Sequence, residues 1–197
     1  MNSMKIAKKR IGVFALQGSF VEHVAMVKKL GHDAREIRSM EDIKQIDPRA
    51  IILPGGESTT MMNFLKENEL MHWLKGYAKA GMPIFATCAG LILLSKSHLD
   101  VLDVEVDRNA YGSQLDSFET DIKINLPTPD SQLHTISFHA LFIRAPKIKK
   151  IGSKVIILAE AGAGNPVLVQ QKNILGATFH PELTDDTRIH RYFINLI

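Results

Sequence analysis

The only cysteine of the chain, Cys88, lies between two apolar runs in the stretch FATCAGLILL. Small residues, Ala86 and Gly90, stand two positions away on either side. A nucleophile elbow requires small residues there, because the strained turn brings neighbouring backbone close to the nucleophile. A helix that starts just after Cys88 would also favour its thiolate form. The same stretch suits a buried structural cysteine equally well, so chemistry at Cys88 needs a base elsewhere in the chain.

The segment GATFHPEL supplies a candidate base, His180, at the end of a strand-like run. Glu182 follows two residues later, and residues i and i+2 of an extended chain point to the same side. Glu182 can therefore bind one ring nitrogen of His180 and leave the other to face a thiol, which is the arrangement of a catalytic triad. Five other histidines fall in helical or loop contexts and are predicted to be exposed: His23, His32, His72, His98 and His190.

The segment LPGGES carries two adjacent glycines, Gly55 and Gly56, after another strand-like run. It lacks the lysine of a P-loop, and its glycines are not spaced as in a dinucleotide-binding loop. A backbone N–H donor for an oxyanion fits this loop better. Ser58 or Thr59 is predicted to cap the helix that follows. An ordinary tight turn would explain the glycines alone, although not their combination with a cysteine elbow.

Strand-like and helical runs alternate in the first half of the chain, which predicts an α/β fold with a mostly parallel sheet. A helix is predicted over 19–31, with Ser19 as its N-cap. Its apolar stripe comprises Val21, Val24, Val27 and Leu30. Beyond residue 100, short strand-like runs predict antiparallel additions, before ILGATF returns to the sheet and DDTRIHRYFINLI forms a closing helix. We expect residues 1–197 to form one domain.

Composition excludes several classes of protein. The net charge of the 197 residues is only +3, too weak to indicate nucleic-acid binding, and one cysteine cannot form an internal disulfide. The N-terminus does not resemble a signal peptide, and no stretch approaches the roughly 20 apolar residues that span a bilayer. No cluster of metal ligands is evident. The sequence therefore predicts a cytoplasmic protein without a metal site or a membrane partner.

Three segments in this order, PGGEST, TCAGLILL and FHPEL, together resemble the class I glutamine amidotransferases. Four further segments, LQGSFVEH, PGGESTTM, RNAYGSQLDSFE and IRAP, narrow the resemblance to the glutaminase subunits of pyridoxal 5′-phosphate synthases. The resemblance implies a three-layer, flavodoxin-like fold. It also implies hydrolysis of L-glutamine, no cofactor in this chain, and a (β/α)₈ synthase subunit as partner in a large hetero-oligomer.

The resemblance also assigns roles to residues. It implies Cys88 as nucleophile, His180 as base and Glu182 as the residue that orients it, with oxyanion N–H groups from Gly56 and Ala89. The implied glutamine-binding residues are Gly56, Glu57, Ser58, Arg108, Ile143 and Arg144. Charge agrees with this set, because an arginine can pair with the α-carboxylate of glutamine and Glu57 can help to place its α-ammonium.

Two alternatives use the same scaffold. A stand-alone cysteine hydrolase of γ-glutamyl compounds, or a glutaminase of another synthase, would share the triad, but GSQLDSFE and IRAP argue against both. A non-catalytic binding module would have lost a cysteine, histidine or glutamate of the triad, and all three are present.

Overall fold

Short segments that are buried throughout form the centre of the main sheet. Every residue of Ala50–Leu53, Ile84–Thr87 and Ile174–Ala177 is buried. Strands covered on both faces read as continuous apolar runs rather than as alternating patterns. These segments therefore need a layer of helices on each side of the sheet.

The computed structural model describes residues 7–108, 117–127 and 133–197. The strands in this part of the chain are β1 (Arg10–Phe14), β2 (Asp33–Ile37), β3 (Ala50–Leu53), β4 (Ile84–Thr87), β5 (Val104–Asp107), β6 (Phe118–Pro127), β7 (Leu133–Phe142), β8 (Lys147–Ile151), β9 (Ile156–Ala161), β10 (Asn165–Gln171) and β11 (Ile174–Ala177). The α-helices are α1 (Phe20–Lys29), α2 (Met40–Ile46), α3 (Ser58–Glu67), α4 (Leu70–Lys79), α5 (Ala89–Leu94) and α6 (Arg188–Asn195), and Pro181–Leu183 forms a 3₁₀ turn.

Nine strands of the described residues form one mixed sheet in the order β2-β1-β3-β4-β11-β10-β9-β6-β7. The first five run parallel to one another, and the other four extend the sheet with antiparallel pairings. The parallel part has the 2-1-3-4-5 order of flavodoxin-like folds. The parallel first half, the antiparallel additions and the return of the last strand to the sheet are thus confirmed, and this strand pairs with β4.

Helices cover both faces of the parallel strands. On one face Val27 of α1 and Phe193 of α6 lie in the same apolar cluster as Ile52. On the other face Leu65 of α3 and Leu91 of α5 share a cluster with other buried strand residues. The result is the expected three-layer arrangement. No helix in the described part of the chain is both long and apolar enough to cross a bilayer.

Helix α1 begins as predicted, but part of its predicted apolar stripe is wrong. Val21 is 58% exposed, whereas His23, Met26 and Val27 are buried. Residues three apart drift by about 60° around a helix with 3.6 residues per turn, so Val21 lies about 120° away from Val27. The face of α1 that packs against the sheet therefore carries His23 instead of Val21.

Three short elements were not predicted: α2, β5 and β8. A local signal for α2 was present, because Ser39 and Asp42 form a capping box at its start. Strands β5 and β8 pair only with each other, as an antiparallel pair outside the main sheet. Strand β5 alternates between apolar and polar residues over only four positions, and two adjacent lysines interrupt the alternation of β8, so neither stands out from loop.

Gly90→Ala should lower the free energy of unfolding by about 1–3 kcal/mol, the typical cost of overpacking. A Cβ at Gly90 would lie 2.3 Å from the backbone oxygen of Leu53, so α5 or β3 would have to move. Gly76→Ala in α4 is the matched control, because a Cβ there meets no atom of the described residues within 4 Å. This control should gain roughly 0.5–1 kcal/mol, as expected for a helix interior. Thermal unfolding of both variants checks the pair, and equal stabilities would contradict the packing argument.

Candidate active site

The carboxyl ends of the parallel strands bring the candidate residues together. Gly55 and Gly56 follow β3, Cys88 follows β4, and His180 lies three residues beyond β11. Ligands of open α/β sheets bind at this edge. Residues from distant parts of the chain therefore meet at one place on the sheet.

Cys88 lies at a strained turn between β4 and α5. Its backbone has φ 46° and ψ −108°, outside the regions that non-glycine residues ordinarily occupy. Its N–H donates to the Ala177 carbonyl at 2.9 Å, which ties the turn to β11. Strain of this kind typically costs about 1–3 kcal/mol and concentrates at functional sites. Ala89 is the first residue of α5, so its N–H has no acceptor within the helix.

His180 and Glu182 form the hydrogen-bonded pair that the sequence predicts. His180 Nδ1 lies 2.8 Å from Glu182 Oε1, and the Ser19 hydroxyl donates to the same oxygen at 2.5 Å. The backbone between them is not extended as expected, because Pro181 opens a 3₁₀ turn over Pro181–Leu183. Since Nδ1 faces Glu182, Nε2 is the ring nitrogen left to interact with Cys88.

Burial and charge act against each other in this pair. Burial alone would lower the pKa of His180, but the hydrogen bonds and negative charges of Cys88 and Glu182 outweigh it and raise the pKa to about 10. Burial alone would raise the pKa of Glu182. Electrostatic interactions with His23 and His180 and hydrogen bonds from His180 and Ser19 instead bring it to about 2. These interactions favour an imidazolium at His180, between the Cys88 sulfur and an ionised carboxylate.

The loop after β3, which contains Gly55 and Gly56, packs directly on His180 and Cys88. A Cβ at Gly55 would lie 2.3 Å from His180 Cε1 and 3.3 Å from Cys88 Cβ. Only glycine leaves room at this position. The loop after β3 therefore closes over the same cysteine and histidine.

The predicted glutamine-binding residues lie on separate segments of the chain. The Ile143 carbonyl oxygen lies 3.7 Å from Cys88 Sγ, and Arg144 follows it with φ 45° and an exposed side chain. At the start of α3, Arg108 Nη2 lies 3.1 Å from Thr59 Oγ1 and 3.5 Å from Glu57 Oε1. Both arginines thus project from loops around Cys88 or the neighbouring helix start. The motif RNAYGSQLDSFE falls mostly on 109–116, outside the described residues.

The cap of α3 differs from the prediction. Glu57, rather than Ser58 or Thr59, is its N-cap, and its carboxylate accepts from the N–H groups of Thr59 at 3.1 Å and Thr60 at 2.7 Å. Hydrogen bonds from Thr60 and Thr59 lower the pKa of Glu57 to about 2. Ser58 is buried. The longer glutamate reaches the helix N–H groups from outside and keeps its negative charge at the edge of the site.

Two of the histidines predicted to be exposed are fully buried beside the site. His23 on α1 and His190 on α6 both have 0% exposure, and His23 Nε2 lies 3.4 Å from Glu182 Oε2. The prediction was wrong because it rested on helical context alone and did not fix which helix face meets the sheet. The apolar residues around each histidine were the signal that could have revealed their burial.

The sequence model of the SNO glutamine amidotransferase family matches residues 13–197. The chain belongs to this family. Relatives include the pyridoxal 5′-phosphate synthase subunit PdxT of Thermosipho africanus, 46% identical over 195 residues that cover 95% of this chain and 98% of the relative. The PdxT subunit of Corynebacterium jeikeium is 41% identical over 197 residues, with 95% and 96% covered.

Solved structures agree with this family. One described as the crystal structure of a glutamine amidotransferase superposes with a TM-score of 0.83 at 40% identity and covers 95% of this chain and 98% of its own. PurLQS from Thermotoga maritima has a TM-score of 0.70 at 15% identity, with 95% and 98% covered, and so shares the fold. The class I glutamine amidotransferase fold is confirmed for this member of the SNO family.

Glu182→Gln should remove a pH-dependent part of the stability. The pKa of Glu182 is lowered in the folded protein from 4.5 to about 2. Its ionised form therefore stabilises the fold fully above about pH 4.5, and this contribution is lost as the pH falls towards about 2. The difference in free energy of unfolding between wild type and Glu182→Gln should shrink as the pH falls from about 4.5 towards about 2. Denaturant titrations at each pH measure it, with the exposed Glu160→Gln as control. A difference that stays constant with pH would contradict an ionised Glu182.

Proposed function

We propose that this chain hydrolyses L-glutamine to L-glutamate and ammonia and passes the ammonia to a pyridoxal 5′-phosphate synthase subunit. The observation that carries the proposal is the strained turn of Cys88 beside His180, whose Nδ1 lies 2.8 Å from Glu182 Oε1. Relatives named as PdxT subunits of that synthase, at up to 47% identity over nearly their whole length, support the substrate and the acceptor.

In the first half of the reaction the Cys88 thiolate attacks the side-chain amide carbon of glutamine. The amide oxygen becomes an oxyanion, for which the backbone N–H groups of Gly56 and Ala89 are the proposed donors. His180 gives its proton to the departing nitrogen, which leaves as ammonia. A glutamyl thioester remains on Cys88.

In the second half, His180 is neutral and takes a proton from water. The resulting hydroxide attacks the thioester carbon, again through an oxyanion, and the C–S bond breaks. Glutamate leaves, and the Cys88 thiolate and the His180 imidazolium are restored. The raised pKa of His180 suits the resting ion pair, since the imidazolium is then the proton donor at neutral pH.

Charge supports the proposed recognition of the amino-acid end of glutamine. Arg144, next to the Ile143 carbonyl at Cys88, or Arg108, beside Glu57, can pair with the α-carboxylate. Glu57 remains ionised and can attract the α-ammonium, although its oxygens already accept from α3. Gly56 and Ser58 complete the proposed set on the loop after β3.

The proposed partner is a (β/α)₈ synthase subunit in a large hetero-oligomer, with the whole chain acting as one glutaminase domain in the cytoplasm. Docking could set the Gly55–Gly56 peptide, because adjacent glycines allow a peptide to rotate at low steric cost. Losing one oxyanion donor typically lowers kcat by about 10²–10³. A rotated peptide would by itself keep the glutaminase activity of the free subunit very low.

Cys88→Ala should abolish the release of glutamate from glutamine and leave the Tm of the chain nearly unchanged. Coupled assays of glutamate and ammonia, with the chain alone and with a pyridoxal 5′-phosphate synthase subunit added, measure this. In the wild type, the synthase subunit should raise kcat even without its sugar phosphate substrate. Substantial turnover by pure Cys88→Ala would remove Cys88 from the mechanism, and full activity of the isolated wild type would show a preformed loop.

A further inference from the structure

Two buried histidines lie directly behind the candidate triad. His23 on α1 and His190 on α6 are fully buried, and both rings pack edge-on against Phe85 of β4. His23 Nδ1 lies 2.9 Å from His190 Nε2. Burying a polar ring in an apolar layer costs free energy unless its nitrogens form hydrogen bonds.

The other nitrogen of His23 reaches the site from behind. His23 Nε2 lies 3.4 Å from Glu182 Oε2 and 3.1 Å from the hydroxyl oxygen of Thr87, the residue before Cys88. Glu182 Oε2 has no conventional hydrogen bond within the described residues. Hydrogen bonds of active sites are often long in the free enzyme and tighten in the complex. His23 is thus the polar group placed to hold the oxygen that His180 does not hold.

The protonation of the two rings follows from burial and charge. Burial lowers the pKa of His23, and burial together with repulsion by His23 brings the pKa of His190 to about 3. Both rings are therefore neutral near pH 7, and each carries a single N–H. A chain of two neutral rings can point its N–H groups either towards Glu182 or away from it.

The arrangement that points towards Glu182 is the favourable one. If His23 donated from Nδ1 to His190, its bare Nε2 would face a carboxylate, and His190 would bury an N–H that has no acceptor among the described residues. In the opposite arrangement His190 Nε2–H donates to His23 Nδ1, and His23 Nε2–H faces Glu182 and Thr87. An N–H attracts the carboxylate, whereas a bare ring nitrogen repels it.

We propose that His23 is a positioning residue whose Nε2–H, fixed by a hydrogen bond from His190, holds Glu182 Oε2 so that Oε1 stays aligned with His180. The inference rests on the proposed function, because alignment matters only if His180 acts on Cys88. His23 touches neither glutamine nor the reacting atoms. Its effect passes through Glu182.

The chain offers a matched pair of substitutions for this inference. Glutamine places its terminal amide where His23 Nε2 lies, and asparagine places it where Nδ1 lies. His23→Gln thus keeps a donor for Glu182, whereas His23→Asn keeps only the contact with His190. A merely structural role of a buried polar side chain would not separate the two in this direction. The exposed His72→Asn is the control for handling and assay.

In the complex with the synthase subunit, we expect kcat for glutamine to fall about 10–100-fold in His23→Asn, the size of effect typical of residues that orient a catalytic ligand. His23→Gln should stay at least about tenfold above His23→Asn, and KM should change little in either. Equal losses in both variants, or wild-type kcat in both, would overturn the inference. A wild-type complex that does not hydrolyse glutamine would instead overturn the proposed function.

A second measurement does not depend on turnover. Because the chain has one cysteine, the rate of iodoacetamide alkylation reports only on Cys88. A poorly held Glu182 stabilises the His180 imidazolium less, so half-maximal alkylation should shift to higher pH in His23→Asn and less in His23→Gln. Identical pH profiles in the wild type and both variants would count against the inference even if glutamine were not the substrate.

The wild-type protein alone provides the remaining test, should the variants fail to fold. Nitrogen-15 NMR of the imidazole rings, assigned through side-chain correlations, gives the site of the proton on each histidine. We expect His23 and His190 both to carry hydrogen on Nε2. A proton on Nδ1 of His23 would overturn the proposal outright.

Discussion

The burial of one carboxylate, that of Glu182, is the constraint on which the rest of this site depends. An ionised carboxylate is stable away from water only if its oxygens find donors or positive charge. Ser19 and His180 serve Oε1, and His23 lies nearest to Oε2. The residues come from the loop after β1, from the turn after β11 and from α1. The parallel strands that align these segments are therefore part of the chemistry of the site.

The same sheet edge holds Cys88, the proposed nucleophile, in a conformation that the chain would not adopt alone. The positive φ of Cys88 is tolerated because β4 and β11 fix the backbone on one side and α5 begins on the other. Gly90 lets α5 approach the Leu53 carbonyl, and Gly55 lets the loop after β3 approach His180. The two glycines give up side-chain packing and so allow the backbone to lie close to the Leu53 carbonyl and to the His180 ring.

Much of this arrangement could be predicted from the sequence because it is local. The small residues on either side of Cys88 are close to it in sequence, and Glu182 follows His180 by two residues. Such short spacings can be read directly from the sequence. Burial of His23 and His190 could not be predicted in that way, because it depends on which faces of α1 and α6 meet the sheet. The capping of α3 by Glu57 was missed for a related reason, since Ser58 and Thr59 are the commoner capping types. The 3₁₀ turn at Pro181 replaced an extended link without changing which side chains meet.

In the proposed mechanism, Glu182 acts by holding His180 rather than by binding glutamine. The most direct measurement is the steady-state kinetics of Glu182→Gln in complex with the synthase subunit. An orienting residue acts mainly in the transition state, so kcat should fall by roughly 10²–10⁴ while KM stays within about threefold of wild type. A steep rise in KM with kcat unchanged would contradict the account and place Glu182 among the residues that bind glutamine.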